Sequence, residues 1–451
     1  MRASNVFIKM VIIMLGASFL VITSISNSFS QSVVRVQPTL QISEEYNDNI
    51  DTDDKDEDSD FITTISPGIL ISRETQVSKG ELSYSPGFSI YADNSEYDEV
   101  RHNLNMNYAR DLTKNTSFTL RDRLLRTEEP YTAYELSYDP SQDIQSPELG
   151  YYTTREEREP RTTNVVDVGI DYQFGPKSSW NSNYSFGKVW EDSEYGEDST
   201  RHSVGSSLEY WFVPQWGTNL EAGYTRGEFS DPGKFADESD DFDQWQGNAG
   251  VFHAFSKHFT GFIDYTHTSV LYDGDEHDYH VYDPGLGFDW NFARDAFLRF
   301  RAGYYYRDID EEDNDDGLSL LVDIGKQWKI TRRSTFRLRG GSGYQNTYFG
   351  GDNLGFTQYN EVQGVLNYAL ARHTDLALTG SYRRNDYQDA TPDRTDDIYT
   401  IRGEIGHQLT QWLRVSLSDR YRVVDSDLDS EEYTENSVML TLTMTPQGWQ
   451  W

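Results

Sequence analysis

Apolar and polar residues alternate one by one along much of the chain. Between Glu81 and Asp93, small polar residues take one parity, and the other parity carries Leu82, Tyr84, Phe88 and Ile90. Similar alternation runs through residues 166–174, 298–306, 399–405 and 438–444. Successive side chains of a β-strand point to opposite faces. A period of two therefore predicts an all-β chain whose strands have one apolar and one polar face.

The predicted strands are joined by two kinds of connection, which alternate. The short ones lie at residues 175–177, 213–215, 256–258, 293–295, 371–373 and 410–412. The long ones are acidic and lie at residues 51–60, 127–160, 193–200, 230–240, 309–316 and 424–432. Short turns at one rim and long loops at the other are typical of a transmembrane antiparallel up-and-down β-barrel.

In such barrels the short turns are periplasmic and the long loops are extracellular. Counting hairpins predicts about 20 strands, with 18 as the alternative, and places both termini at the periplasmic rim. A soluble β-sandwich also alternates, but regular hairpins with one-sided loop lengths fit it poorly.

The composition agrees better with a membrane barrel than with the acidic or disordered chain that its net charge alone would indicate. A net charge of -36 is typical of a solvated acidic or disordered chain, yet the chain carries 31 Tyr, 23 Phe and 10 Trp. In a membrane barrel only alternate residues face lipid, aromatic residues collect at the interfaces, and acidic residues can gather in loops. The chain has no cysteine, which excludes a disulfide framework and a thiolate metal site.

The N-terminus predicts export. Arg2 and Lys9 precede an apolar run over residues 10–25, and Ser28 and Ser30 follow at the spacing of a cleavage site. This pattern predicts a signal peptide over residues 1–30 and a single barrel domain over residues 31–451. A membrane anchor is the alternative, although the run is short for a spanning helix. No later segment is apolar enough for such a helix, so membrane residence would have to use strands.

The start of the predicted mature chain carries a recognisable motif. It comprises Val36–Leu40 and Glu44–Ile50, followed by Ser66-Pro67-Gly68 and Ser85-Pro86-Gly87. This segment resembles the β-barrel porin family associated with exopolysaccharide export and with the PEP-CTERM sorting system. The resemblance implies an exporter-associated outer-membrane protein and supplies no catalytic residues.

Parity also separates the lumen from the lipid face. Eight arginines fall on the parity opposite the apolar residues of their strands: Arg121, Arg123, Arg299, Arg301, Arg337, Arg339, Arg414 and Arg420. The reverse assignment would place arginines in the bilayer at about 2–4 kcal/mol each near its midplane. We therefore expect a basic lumen.

Two interpretations of these arginines stay open. They attract an anionic solute such as an acidic polysaccharide, or they form structural ion pairs with Asp264, Asp289, Asp323 and Glu221, which share their face. The pattern is imperfect, because Asp122 and Lys188 fall on the lipid side and would need an interface or a bulge nearby.

The C-terminus fits a barrel with one irregularity. Such barrels commonly end in an aromatic residue, and Trp451 fills that place. However, Trp449 and Trp451 have the parity opposite to residues 438–444. A bulge near Pro446–Gly448 would keep them in the last strand.

Other chemistry is weakly supported. Residues 51–58 and 312–317 are rich in calcium-type oxygen ligands but lack a complete calcium-loop pattern. Asp264 and His267 have opposite parity and cannot form a simple catalytic dyad. We therefore expect no enzyme activity, no metal, no cofactor and no nucleic-acid partner. Expected partners are outer-membrane lipid, lipopolysaccharide, the barrel-assembly machinery, a polysaccharide and periplasmic export components.

The first functional hypothesis is an outer-membrane channel that assists export of an acidic extracellular polysaccharide. The second is a general or solute-specific diffusion porin, and the third is a surface adhesin or a loop-borne enzyme. The longest loop, Thr127–Pro160, is a candidate constriction or plug if it folds into the lumen.

Overall fold

Twenty long strands form the wall of the molecule. The computed structural model describes residues 33–55, 57–129, 158, 160–192, 198–229, 241–274, 277–294, 296–310, 314–326, 333–349, 352–388 and 394–450. The first ten strands are β1 Val33–Asn47, β2 Asp60–Glu74, β3 Ser78–Tyr91, β4 Glu99–Asp111, β5 Thr116–Thr127, β6 Arg161–Gln173, β7 Ser179–Glu191, β8 Ser199–Val213, β9 Trp216–Phe229 and β10 Phe242–Ala254. The predicted signal peptide lies outside the described residues.

The second half of the chain continues the series. Its strands are β11 Phe259–Tyr272, β12 Tyr279–Ala293, β13 Ala296–Ile309, β14 Asp315–Lys326, β15 Ser334–Phe349, β16 Asp352–Ala371, β17 Thr374–Tyr387, β18 Arg394–Thr410, β19 Leu413–Ser426, β20 Tyr433–Met444 and the two-residue β21 Trp449–Gln450. A three-residue 3₁₀ turn at Ser95–Tyr97 lies between β3 and β4. Among the described residues, no helix is long and apolar enough to cross a membrane.

The sheet closes on itself. Each strand pairs antiparallel with the next along the chain, and β20 pairs with β1 from Leu40↔Met444 to Asn47↔Ser437. The predicted all-β, up-and-down barrel is therefore confirmed, with 20 wall strands and not 18. A barrel of this size encloses an interior wider than wall side chains alone can fill.

The two rims differ as predicted. Connections from even to odd strands are mostly short, such as Thr75–Val77 and Pro214–Gln215, and they share one rim with the start of β1 and the end of β20. Connections from odd to even strands include the long loops at residues 48–59 and 128–160. The β15–β16 connection is an exception, because only two residues separate Phe349 at the end of β15 from Asp352 at the start of β16.

The outer face is apolar because the strands alternate. Its exposed side chains include Ile263 at 70 %, Ile401 at 62 % and Leu286 at 61 %. On the opposite face, most side chains near the long-loop rim are buried, whereas many of those near the short-turn rim are exposed. Within β12, for example, Tyr279 and Val281 are buried and Ala293 is exposed. The lumen is thus packed at its long-loop end.

Two irregular features were anticipated. Between the pairs Leu40↔Met444 and Val36↔Trp449, β1 advances four residues and the C-terminal segment advances five. The extra residue is the bulge expected near Pro446–Gly448, and it keeps Trp449 paired with β1. Trp451 lies outside the described residues.

Asp122 and Lys188 do lie on the outer parity, but neither lies beside a bulge, because the register of β4 to β8 is continuous. Lys188 lies three residues from the end of β7, where its Nζ donates to Thr200 at 3.0 Å. Asp122 accepts a 2.7 Å hydrogen bond from Asn164 on the neighbouring strand. A polar partner, not a bulge, accommodates each charge.

Candidate functional site: the lumen

The lumen arginines of β13 and β15 lie in a network with carboxylates. Arg301 contacts two of them, Asp264 at 2.9 Å and Asp283 at 3.3 Å, and its guanidinium donates to Ser319 at 2.8 Å. Arg299 pairs with Asp289 at 2.7 Å. These contacts join β11, β12, β13 and β14 across the inner face.

The pattern continues along the wall. Arg337 pairs at 3.1 Å with Asp323, whose side chain is fully buried. Farther on, Arg414 pairs with Asp375 at 2.7 Å and Arg420 with Glu435 at 3.0 Å. Each ion pair joins two different strands, β14 with β15, β17 with β19, and β19 with β20, so the strand order itself brings these charges together.

The remaining three predicted arginines differ. Arg123 contacts Asp167 at a longer 3.9 Å. Within the described part of the chain, neither Arg121 nor Arg339 has a carboxylate within ion-pair distance. Arg339 is 7 % exposed, its Nε has no hydrogen bond there, and it is register-paired with Asp323. Paired charges cancel at a distance, so the lumen is less basic than its arginine content indicates.

The expected carboxylate partners were partly right. Asp264, Asp289 and Asp323 do pair with the arginines, whereas Glu221 pairs with none of the eight among the described residues. Four partners were missed, although their positions on the inner face could have been read from strand parity: Asp167, Asp283, Asp375 and Glu435. Which arginine each carboxylate meets across several strands could not be predicted from parity, because it depends on the strand register.

A second polar cluster lies where the longest loop meets the wall. This stem cluster consists of Tyr91 and Arg101 on the inner face and Glu128, Glu129 and Arg158 at the two ends of the loop. Arg101 contacts Glu128 at 2.5 Å and Glu129 at 2.6 Å. Both carboxylates are largely buried, so the first residues of the loop turn into the lumen.

Arg158 fastens the second end of the loop. Its side chain is fully buried, its Nε donates to the carbonyl of Ile50, and one terminal nitrogen donates to the Tyr91 hydroxyl at 2.9 Å. It also contacts Glu129 at 3.4 Å. The stem cluster therefore supports inward folding at both ends of the predicted constriction loop. Residues 130–157 and 159 lie outside the described residues.

The electrostatics of the stem cluster favour the charged form of Glu129. Burial alone would raise its pKa, but attraction by Arg101, Arg158 and Arg420 outweighs burial and lowers the pKa to about 2. Arg420 belongs to β19, so Glu129 also interacts electrostatically with a strand on the other side of the β1–β20 closure.

The acidic loop that follows β1 is internally bonded. Asp51 accepts a side-chain hydrogen bond from Tyr97, and burial raises the pKa of Asp51. Burial followed by the Asp51 charge raises the pKa of Tyr97 to about 12. Lys55 pairs with Asp429 of a neighbouring loop at 3.3 Å. Across the described residues, no three metal-ligating side chains converge, and residues 311–313 of the second acidic loop lie outside them.

The sequence prediction about a dyad is confirmed. Asp264 faces the lumen and binds Arg301. His267 has the opposite parity, and its ring contacts that of Tyr282, whose neighbour in the register is Tyr306 on the exposed outer face. The two side chains lie on opposite sides of the wall.

A family model described as "Putative beta-barrel porin 2" matches residues 300–445. The matched segment covers β14 to β20 and most of β13, including five of the eight predicted lumen arginines. The match agrees with a porin-like barrel and carries no statement about exopolysaccharide or sorting systems. A search of curated proteins found no match.

Solved structures share the fold at low identity. The siderophore receptor PirA from Acinetobacter baumannii is 7 % identical, with 91 % of this chain and 80 % of that chain covered and a TM-score of 0.50. A mutant of the ferric enterobactin receptor PfeA from Pseudomonas aeruginosa, bound to enterobactin, is 9 % identical, with coverages of 91 % and 81 % and a TM-score of 0.50. OccK3 (OpdO) from Pseudomonas aeruginosa is 12 % identical, with coverages of 92 % and 96 % and a TM-score of 0.40.

Proposed function

We propose that this chain is an outer-membrane channel for hydrated solutes, and that it assists export of an acidic extracellular polysaccharide. The observation that carries the proposal is the contrast between the two faces of a closed wall. The outer face presents large apolar side chains, and the inner face presents ion pairs such as Arg301–Asp264 and Arg337–Asp323. Such charges are stable only beside water or protein, not beside lipid.

The rim asymmetry supports an orientation. In outer-membrane barrels the short turns are periplasmic and the long loops extracellular. The exposed short-turn half of the lumen would then face the periplasm, and the packed half would face outside. A polymer leaving the cell would enter through the wide end and meet the narrow part last.

The polysaccharide part of the proposal is supported by the N-terminal resemblance and by the lumen arginines. Because most of the arginines are neutralised, attraction of an acidic chain would depend mainly on Arg121 and Arg339. These two positions therefore make the proposal sharply testable.

A diffusion porin is the second candidate, and the ion-paired lumen favours it. Paired arginines hold the wall together without requiring an anionic solute. The description of the matching family also names a porin. Both features are compatible with uptake as well as with export.

The test is single-channel conductance of refolded protein in planar bilayers, first with a salt gradient and then with graded acidic oligosaccharides. We expect anion selectivity and block by the acidic chains, both weakened in the R121Q/R339Q double variant. R384Q is the control, because Arg384 lies on the outer face with its side chain 50 % exposed.

Block that is unaffected by R121Q/R339Q would contradict a role for these arginines. Nonselective or cation-selective conductance that ignores the oligosaccharides would leave the porin and contradict export. Failure to conduct would overturn the channel itself and direct attention to the loops as an adhesin or an enzyme.

A further inference from the structure

The β15–β16 hairpin leaves the wall before it reaches the long-loop rim. β14 pairs with β15 only from Lys326↔Phe336 to Leu320↔Ser342, although β15 runs on to Phe349. On the other side, β16 pairs with β17 only as far as Thr357↔Tyr387. The described residues 343–349 and 352–356 thus form the two arms of a hairpin tip, which pair with each other and with neither neighbouring strand.

The tip turns inward and lies against the inner wall. Tyr344 has its ring centroid 5.0 Å from that of Tyr305 on β13, and its hydroxyl is hydrogen-bonded to Thr268 on β11. Tyr305 and Thr268 both face the lumen, because their register neighbours are the inner-face residues Gly317 and Val281. Reaching β11 from β15 requires the tip to cross three strands on the inside of the barrel.

Phe356 on the second arm of the hairpin makes matching contacts. It stacks on Tyr344 at 5.5 Å and 18°, meets Tyr279 edge-on at 5.5 Å, and lies beneath the Arg307 guanidinium at 4.1 Å. It is fully buried. Gly355 precedes it with φ at 66°, a left-handed backbone that side chains rarely adopt, beside a register irregularity.

The direction of these aromatic side chains has a physical reason. By parity Tyr344 and Phe356 belong to the outer face of their strands, since Leu338 on β15 is outward. When the hairpin slides inside the wall, that outer face lies against the inner face of β11 to β13. The aromatic surface is then buried instead of being exposed above the membrane, which is favourable.

The hairpin tip and the stem cluster lie on opposite sides of the lumen. The tip covers β11 to β13, and the stem cluster is attached to β3 and β4, with Ile50 beyond β1. In a ring of 20 strands, β1 and β11 are ten strands apart and therefore diametrically opposed. Both features belong to the long-loop half of the lumen, so they narrow that half from opposite sides.

We propose that the inward hairpin tip, held by Tyr344 and Phe356, sets the size limit for solutes at the extracellular end of the lumen. This inference rests on the proposed channel function. It deepens that function by naming a specificity-determining element that recognises the width of a hydrated chain, whatever its charge.

The test releases the hairpin and measures two independent quantities. The variant Y344A/F356A removes the aromatic contacts, and Y304A is the matched control, because Tyr304 lies on the outer face of β13 with 52 % exposure. We expect single-channel conductance to rise by about twofold or more in Y344A/F356A, with larger neutral polyethylene glycols admitted. Y304A should match the wild type. Heat-modifiable mobility on gels checks that each barrel folds, and F356A alone is the milder substitute.

The second quantity is thiol reactivity, which needs no conductance. The chain has no cysteine, so T268C introduces a single thiol beneath Tyr344 at a position that is 5 % exposed. We expect it to react about tenfold more slowly with an aqueous maleimide than E209C, an exposed lumen position, and to become equally reactive in the Y344A/F356A background.

Each result decides something. Rapid labelling of T268C with the hairpin intact would overturn the docking. An unchanged conductance and polymer cutoff in Y344A/F356A, with T268C newly exposed, would overturn the size limit while leaving the channel intact. Absence of conductance from every variant would overturn the channel, and protection of the T268C thiol would still report the docked hairpin.

Discussion

Arg158 offers the sharpest test of how the longest loop is held. The substitution R158A removes a fully buried guanidinium that contacts the Ile50 carbonyl, the Tyr91 hydroxyl and the Glu129 carboxylate. Breaking a buried charged network by removing one member costs about 3–5 kcal/mol. Glu129 retains Arg101 at 2.6 Å, so we expect the lower end, about 3 kcal/mol.

This free energy predicts a large change in local opening. At about 1.4 kcal/mol per factor of ten, the open population of the loop stem should rise about a hundredfold. Hydrogen exchange of the refolded protein in detergent measures it directly at two amides. The Ile50 amide donates to Asp58 at 2.7 Å, and the Glu129 amide donates to Thr127 at 3.1 Å.

The control for this prediction is R384A. Arg384 pairs with Asp397 at 3.3 Å on the outer face, where its side chain is half exposed, and such pairs contribute at most about 1 kcal/mol. If R158A changes exchange at Ile50 and Glu129 no more than R384A does, the stem cluster does not fasten the loop and the reasoning from burial is wrong.

Three further predictions follow from the same contacts. The pKa of Glu129 is lowered from 4.5 to about 2, so its contribution to loop attachment is complete above pH 4.5 and is lost as the pH falls towards 2. Hydrogen exchange of the loop stem, corrected for intrinsic rates, should show this pH dependence, and the E129Q variant should abolish it. The R301Q variant leaves two lumen carboxylates without their arginine, so it should lower the free energy of unfolding by about 3 kcal/mol in denaturant titrations and shift ion selectivity towards cations. An unchanged free energy of unfolding would mean that water compensates the two carboxylates. On the outer face, the D122L/N164L variant replaces a buried polar pair by apolar groups and should leave the protein equally stable or more stable, whereas N164L alone should destabilise it. Thermal unfolding in lipid measures both effects, and equal effects of the two variants would contradict a paired Asp122.

Strand parity made much of this structure predictable from the sequence. Because side chains of a strand alternate strictly, the sequence was enough to place Arg299, Arg301 and Arg337 on one face and the large apolar residues on the other. The same parity argument required a bulge before Trp449, and the pairing with β1 contains it. Loop lengths determined which rim is which, since each hairpin reverses the chain.

Parity did not reveal partners across several strands. Asp283 contacts Arg301 only because β12 and β13 pair in one register, and that register is a property of the whole ring. The sequence raised ion pairing as one interpretation of the arginines. Only the closed barrel decided which carboxylate each arginine meets, and left Arg121 and Arg339 without one among the described residues.

The inward hairpin and the stem cluster were decided by tertiary structure alone. Nothing in the local sequence says that residues 343–349 separate from β14 or that residues 352–356 separate from β17. They do so because Tyr344 and Phe356 find an apolar inner surface on β12 and β13, contributed by residues some 40 to 80 positions away in the chain. Alternation determined which faces the strands present, whereas the curvature and closure of the sheet determined which faces meet.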